Sequence, residues 1–318
     1  MSRVFEALAK ASEVKRNQSE WPVEDREIIV PAKAGIEGER PTPEQYFRGN
    51  GTVNRTNGTV SLTHELYSGV ITGEKPWHEK IEEWLFGWGL GRYNSHPIIA
   101  LETESPAAEQ YKILREQVKR LRIESGIRSF SITSPVKRDG KTTVAVNLAA
   151  VLSLDYEERV LLIDGDLRAP SIHRYFNAPQ SPGLTDYLGS GSKIHLKSLI
   201  QETFLPGLSI LPSGKPSHLS SELLAKDRMK QVMEDAWAEF PGHHIMIDSP
   251  PILSTPDPMV IARHVDGVLL VVRAGKTPRD YLTKALQTLN SNKVMGVVLN
   301  GADVGISSKY YYYSTDGA

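Results

Sequence analysis

Ser129-Phe130-Ser131-Ile132-Thr133 runs into Ser134-Pro135-Val136-Lys137-Arg138-Asp139-Gly140-Lys141-Thr142-Thr143, and a largely apolar stretch, VAVNLAAVL, fills 144–152. A β-rich run, a loop closing on Gly-Lys-Thr and a helix opening at that lysine form the context in which a phosphate-binding loop is credible. The unpaired N–H groups of a helix N-terminus, with their partial positive charge, suit a phosphate. In this reading Lys141 reaches the β- and γ-phosphates, the Thr142 hydroxyl ligates Mg²⁺ and Gly140 lets the backbone approach closely. Lys137, Arg138, Asp139 and Thr143 complete the candidate nucleotide-binding loop. Pro135 stands where the first Gly of the usual pattern would be.

The rest of the chain from residue 105 onward supports the same fold. Short β-rich runs occur at 129–134, 159–164, 208–212, 244–248, 267–272 and 294–299, and helical patterns at 141–154, 219–239, 257–265 and 279–291 separate most of them. Apolar strands alternating with helices predict an α/β architecture, a mostly parallel sheet with helices on both faces, here of the P-loop NTPase kind. Right-handed crossovers then place the loops after the strands along one edge, where ligands bind in open α/β sheets.

Two acidic motifs reach that edge. Leu161-Leu162-Ile163-Asp164-Gly165-Asp166-Leu167-Arg168 delivers two carboxylates and a guanidinium, and Ile245-Met246-Ile247-Asp248-Ser249-Pro250-Pro251 delivers a third carboxylate from a buried strand. Such groups can cap a loop; beside a phosphate loop they can hold Mg²⁺ and orient an attacking hydroxyl. Thr142, Asp164 and Asp248 are the candidate metal ligands. Asn300, after the last strand, either reads an adenine edge or makes a turn before Gly301.

The chain ends Lys309-Tyr310-Tyr311-Tyr312-Tyr313-Ser314-Thr315-Asp316-Gly317-Ala318. Four consecutive tyrosines are either a sticky terminal strand or an accessible substrate segment. A phenol titrates near pH ~10, so phosphoryl transfer to it needs a carboxylate to take the proton; Asp166 is the candidate, with Asp164 as fallback and Lys141 as the third catalytic group.

Composition narrows the possibilities. With 37 basic and 38 acidic residues there is no global positive field for nucleic acid, and the absence of Cys excludes disulfides, thiolate catalysis and Cys-ligated metals. The charged opening MSRVFEALAKASEVKRNQ does not read as a secretory signal, and no apolar run is long enough for a membrane span. The expectation is a cytoplasmic chain in three parts: an N-terminal extension at 1–104, a nucleotide-binding domain at 105–304 and a flexible tyrosine-rich tail at 305–318. The extension reads as largely irregular, being rich in Pro and Gly. It carries a short helix near residues 4–11 and an amphipathic segment at 77–90 with Trp77, Trp84 and Trp88 on one stripe, which either packs on the main domain or docks a partner.

Together these motifs resemble the bacterial tyrosine kinases of exopolysaccharide synthesis, with the opening MSRVFEALAKA similar to the exosortase-associated branch. The resemblance covers about residues 105–318. It implies ATP and Mg²⁺ as cofactors, autophosphorylation at Tyr310, Tyr311, Tyr312 and Tyr313 in the tail of a neighbouring subunit, and assembly into a homo-oligomer such as a ring. It further implies a membrane polysaccharide co-polymerase as activator, recruiting the kinase to the inner face of the membrane, and a tyrosine phosphatase as opposing partner. Glu109, Lys112 and Arg115 resemble the family's Glu-x-x-Arg-x-x-Arg oligomerisation motif, with Lys in place of the first Arg. Arg138 stands where the family usually has Gly; if the backbone there needs φ > 0, a non-Gly residue costs about 1–2 kcal/mol.

Two other functions share this fold class: a positioning or partitioning ATPase, and a non-catalytic nucleotide-gated scaffold. The first carries a signature Lys at the position of Val136, whereas here the lysine is Lys137.

Overall fold

In a computed structural model the described residues are Ile28–Ile29 and 98–302, apart from 103–104, 156, 191–192, 226 and 290–292. The proposed helices near 4–11 and 77–90 and the tyrosine tail lie outside them. Eight strands form one sheet: β1 (Ile28–Ile29), β2 (Ser129–Thr133), β3 (Val160–Asp164), β4 (Gln201–Glu202), β5 (Leu208–Leu211), β6 (His244–Asp248), β7 (Gly267–Arg273) and β8 (Val294–Asn300). Their spatial order is β1-β8-β7-β2-β6-β3-β5-β4. Every pairing is parallel except β4 with β5.

The central strands are buried on both faces, which is why they read as unbroken apolar runs. Side-chain alternation sends Phe130, Ile132, Val160, Leu162 and Met246 into one core, and Leu161, Ile163, Ile245 and Ile247 into another on the opposite face. The first core is covered by α1 (Pro106–Ser125) and α2 (Lys141–Ser153). Helix α2 is buried at every residue from Val144 to Ser153; this all-round burial matches its lack of a polar face. Helix α1 lays Tyr111, Leu114 and Val118 against that core and ends on Gly126 in the left-handed conformation.

The opposite face packs against α4 (Leu184–Ser190), α5 (Ser220–Leu224), α6 (Arg228–Glu239), α7 (Asp257–Arg263) and α8 (Arg279–Leu289), with the single-turn helix α3 (Ile172–Tyr175) placing Ile172 and Tyr175 in the first core. The α/β architecture with a mostly parallel sheet is therefore as expected. The expected helix 219–239 is two helices, because Ala225 turns extended (ψ 166°) at the end of α5. Apolar periodicity runs through that break and conceals it. No helix among the described residues is long and apolar enough to cross a membrane.

The register matters for the site. Asp164 of β3 lies opposite Asp248 of β6, and Ile132 of β2 lies opposite the same Asp248. Strand β6 thus sits between the strand that feeds the Gly-Lys-Thr loop and the strand that delivers the acidic pair, so all three sequence motifs meet on one edge.

Candidate nucleotide and phosphoryl-transfer site

The loop 134–140 is held by its own side chains and by three from neighbouring strand ends. Ser134 Oγ donates to the Val136 carbonyl at 2.7 Å, and the Val136 N–H donates to Asp139 Oδ2 at 3.2 Å. Thr277 Oγ1 donates to Asp139 Oδ1 at 2.8 Å, Asn300 Nδ2 to the Asp139 carbonyl at 2.9 Å, and Arg273 Nη1 to the Arg138 carbonyl at 3.2 Å. The Asp139 carboxylate is buried inside the loop, so its backbone N–H is what it can offer a phosphate. Burial pushes its carboxyl up, partly opposed by the bonds from Thr277 and Val136.

Arg138 adopts φ 69° and Gly140 φ 96°. Glycine occupies the left-handed region freely, whereas Arg138 incurs the steric cost, about 1–2 kcal/mol. A Cβ on Gly140 would run into the Asn300 amide. Asn300 therefore braces the phosphate loop through its amide nitrogen. Arg273 and Thr277 serve the same loop and were not anticipated; nothing in their local sequence separates them from ordinary turn residues.

At the start of α2, Lys141 Nζ lies 3.1 Å from Asp166 Oδ2, 3.2 Å from Thr142 Oγ1 and 3.7 Å from Asp248 Oδ1. Burial pulls the lysine pKa down, but Asp248 and Asp166 together raise it above the ordinary value, so the ammonium is retained. Thr142 Oγ1 donates to Asp248 Oδ2 at 2.6 Å. Asp248 is fully buried, and its Oδ1 has no hydrogen-bond partner. Burial pushes its carboxyl up against the opposing pull of Lys141 and Thr142. Thr143 faces the other way, its Oγ1 3.3 Å from the Tyr175 hydroxyl in the core.

The two carboxylates of the acidic motif have different surroundings. Asp164 accepts the N–H groups of Ser171 and Ile172 on Oδ2 at 3.0 and 3.1 Å, and that of Asp166 on Oδ1 at 3.3 Å. Fully buried, it is pushed up to about 7, first by desolvation and then by the charge of Asp248. Its bonds shape the turn that presents Asp166, which accepts the Ala169 N–H on Oδ1 at 3.1 Å and meets Lys141 through Oδ2. Arg168 points away from both, its Nε donating to Ser220 Oγ at 2.8 Å and lying 3.5 Å from Asp257 Oδ2. Ser220 and Ser221 each donate to the buried Asp257 at 2.7 Å. This four-residue anchor ties the acidic loop to α5 and α7, and only the tertiary fold assembles it.

Lys137, Arg138, Lys141, Asp166, Arg168, Ala169, Pro250, Pro251, Ser254 and Thr255 surround a cavity of about 380 Å³. The lining combines four cationic side chains with the single carboxylate of Asp166 and with Pro250, Pro251, Ser254 and Thr255. A hard cation fits close by: Asp248 Oδ1 has no hydrogen-bond partner, only the Lys141 ammonium at 3.7 Å, and its other oxygen meets the Thr142 hydroxyl. Among the described residues no cluster of three or more His, Cys, Asp or Glu side chains is spaced to hold a metal alone. The remaining ligands would be phosphate oxygens and water, the usual arrangement for Mg²⁺. Away from this edge, Lys112 pairs with Glu109 at 2.6 Å and Arg115 with Glu116 at 2.7 Å, all on α1.

No family model matches the chain. The tyrosine-protein kinase YwqD of Bacillus subtilis is 32% identical over 226 residues, covering 70% of this chain and 93% of that protein. The putative tyrosine-protein kinase CapB of Staphylococcus aureus is 31% identical over 212 residues, covering 66% and 91%. The tyrosine-protein kinase etk of Escherichia coli is 31% identical over 224 residues, but this chain spans only 30% of that longer protein. Among solved structures, the kinase domain of Escherichia coli tyrosine kinase ETK matches with TM-score 0.60 at 30% identity, covering 73% of this chain and 91% of that one. The chimerical protein CapA2B2 matches with TM-score 0.59 at 27% identity, covering 71% and 99%.

Proposed function

The chain belongs to the bacterial protein-tyrosine kinase family, and from that premise we propose that it is an autokinase whose acceptors are Tyr310, Tyr311, Tyr312 and Tyr313 of a neighbouring subunit. One observation supports the reading: Lys141 and Asp166 line one cavity and pair with each other, while Thr142 and the buried Asp248 lie within hydrogen-bond or ion-pair reach of the same lysine.

The nucleotide triphosphate would lie along the loop 134–141, its phosphates receiving backbone N–H groups and the Lys141 ammonium. Thr142 and Asp248 would hold Mg²⁺, which when bound neutralises charge developing on the phosphates. Asp164 would shape the loop behind Asp166 and reach the metal shell through water. Asp166 lines the cavity and accepts the phenolic proton as the tyrosine oxygen bonds to the γ-phosphorus and the bond to the β–γ bridging oxygen breaks, leaving ADP.

The kinase domain in this reading is 105–304 and the tail 305–318. In this reading, as the family resemblance implies, the chain pairs with a membrane co-polymerase and acts in exopolysaccharide synthesis or export at the inner face of the membrane. Glu109, Lys112 and Arg115 would contribute to self-association by exchanging their intrahelical partners across a contact. Each phosphotyrosine adds about −1.5 to −2 charge, so a modified tail is repelled by Asp164, Asp166 and Asp248, and a phosphatase would reset it.

The test is mass spectrometry of the tail after incubation with Mg·ATP and a membrane activator, for wild type, Lys141→Met and Asp166→Asn. Phosphotyrosine at 310–313 in wild type, lost in both variants, is expected. An unmodified wild-type tail under these conditions rules the reading out.

A further inference from the structure

Arg138 is the point where the phosphate loop departs most from what its backbone prefers. The residue holds φ 69°, a conformation in which Gly would be free of strain, and the neighbouring Lys137 is not among the positive-φ residues. Its side chain is exposed and lines the cavity beside Lys141 and Asp166. Only its carbonyl is engaged, by Arg273 at 3.2 Å; its guanidinium makes no hydrogen bond or ion pair among the described residues. The loop's hydrogen bonds hold the backbone in this conformation, but no contact of the Arg138 side chain among the described residues offsets the strain.

The charge balance of the cavity points to what does. Of the cations lining it, Lys141 is already shared between Asp166 and Asp248, and Arg168 is tied to Ser220 and Asp257. Both are committed to carboxylates, which leaves Lys137 and Arg138 as the lining cations with no carboxylate partner among the described residues. A guanidinium is permanently charged, and its planar fork matches two phosphate oxygens at once. Strained residues at functional sites persist where the strained geometry serves the chemistry.

We infer that Arg138 is a further catalytic residue, supplying from the same chain the guanidinium that stabilises the charge developing on the γ-phosphoryl group. This rests on the kinase reading above. As the phenolic oxygen bonds to phosphorus, its proton passes to Asp166 and the electron pair of the breaking bond remains on the β–γ bridging oxygen of ADP. Arg138 contacts the equatorial and bridging oxygens at that stage and is itself unchanged.

The test compares Arg138→Gly, which relieves the strain, with Arg138→Ala, which retains it, in the full chain. Both should lower kcat for tail phosphorylation by at least about tenfold while KM for ATP moves less than about threefold, the pattern of an interaction made in the transition state. By calorimetry, both should weaken binding of Mg·ADP–aluminium fluoride by at least about tenfold and leave Mg·ADP within about threefold. Unchanged kcat and analogue affinity in either variant overturns the inference. So does an equal loss for ADP and analogue, which would make Arg138 a ground-state anchor. If the wild-type tail stays unmodified, the kinase reading fails, while the calorimetric comparison still decides the role of Arg138.

Discussion

Thr142 and Asp248, 106 residues apart in sequence, share a hydrogen bond of 2.6 Å that uses only one of the carboxylate oxygens. The other, Asp248 Oδ1, is buried without a hydrogen-bond partner. Its nearest counter-charge is the Lys141 ammonium at 3.7 Å; a buried anionic oxygen without a hydrogen bond is costly, and a cation coordinated by Thr142, Asp248 and phosphate oxygens lowers that cost.

Asp248→Asn should therefore raise the Mg²⁺ concentration needed for half-maximal activity and lower kcat by about 10²-fold. Thr142→Ser should retain most activity because the hydroxyl survives. A magnesium titration of autophosphorylation checks both. An Asp248→Asn variant with a wild-type magnesium profile would remove this carboxylate from the metal site.

Gly140 and Asn300 should be energetically coupled. Gly140→Ala places a methyl group against the Asn300 amide and forces alanine to φ 96°, a cost of about 2–3 kcal/mol with nucleotide binding weakened accordingly. In an Asn300→Ala background the clash disappears and only the backbone strain remains. A double-mutant cycle read by denaturant melts and nucleotide affinity should give a coupling of about 1 kcal/mol; additive effects would show that Asn300 does not brace this loop.

The anchor of Arg168, Ser220 and Ser221 on Asp257 is a structural element with a remote effect on the site. Asp257→Ala leaves two hydroxyls without their acceptor and a half-exposed guanidinium without its counter-ion, and should cost about 2–4 kcal/mol. Differential scanning calorimetry should show a clear drop in Tm. Peptide-independent ATP binding should fall much less, since the phosphate loop is held from the other side by Arg273, Thr277 and Asn300.

His244, at the far end of β6 from the site, sets a pH dependence of stability. It is fully buried, and burial, with Arg122 and Lys119 nearby, pulls its imidazole down to about 3; Glu158 Oε2 comes within 2.9 Å of Nε2 without hydrogen-bond geometry. Below about pH 6.5 the unfolded chain binds a proton that the folded chain refuses until about pH 3, so stability falls as pH drops through that window. His244→Leu should remove this contribution. Urea melts at pH 7 and pH 5 should show wild type losing about 1–2 kcal/mol more than the variant; parallel losses would contradict the assignment.

Sequence alone determined those features in which local chemistry dictates geometry. The strands 129–133, 160–164, 244–248, 267–273 and 294–300 were legible because a strand covered on both faces must be continuously apolar. The Gly-Lys-Thr loop and the strand-end Asp164, Asp166 and Asp248 were legible because a loop after a parallel strand must open on one edge. Only the tertiary structure decided what each group does there. It decided that Asp164 caps a turn while Asp166 faces the cavity, that Asn300 grips the loop, that Arg168 turns to Asp257, and that Ile28–Ile29 extends the sheet beside β8. These outcomes depend on contacts between residues up to about 270 positions apart. Such contacts are fixed by packing and strand order, which leave no periodic trace in the residues involved.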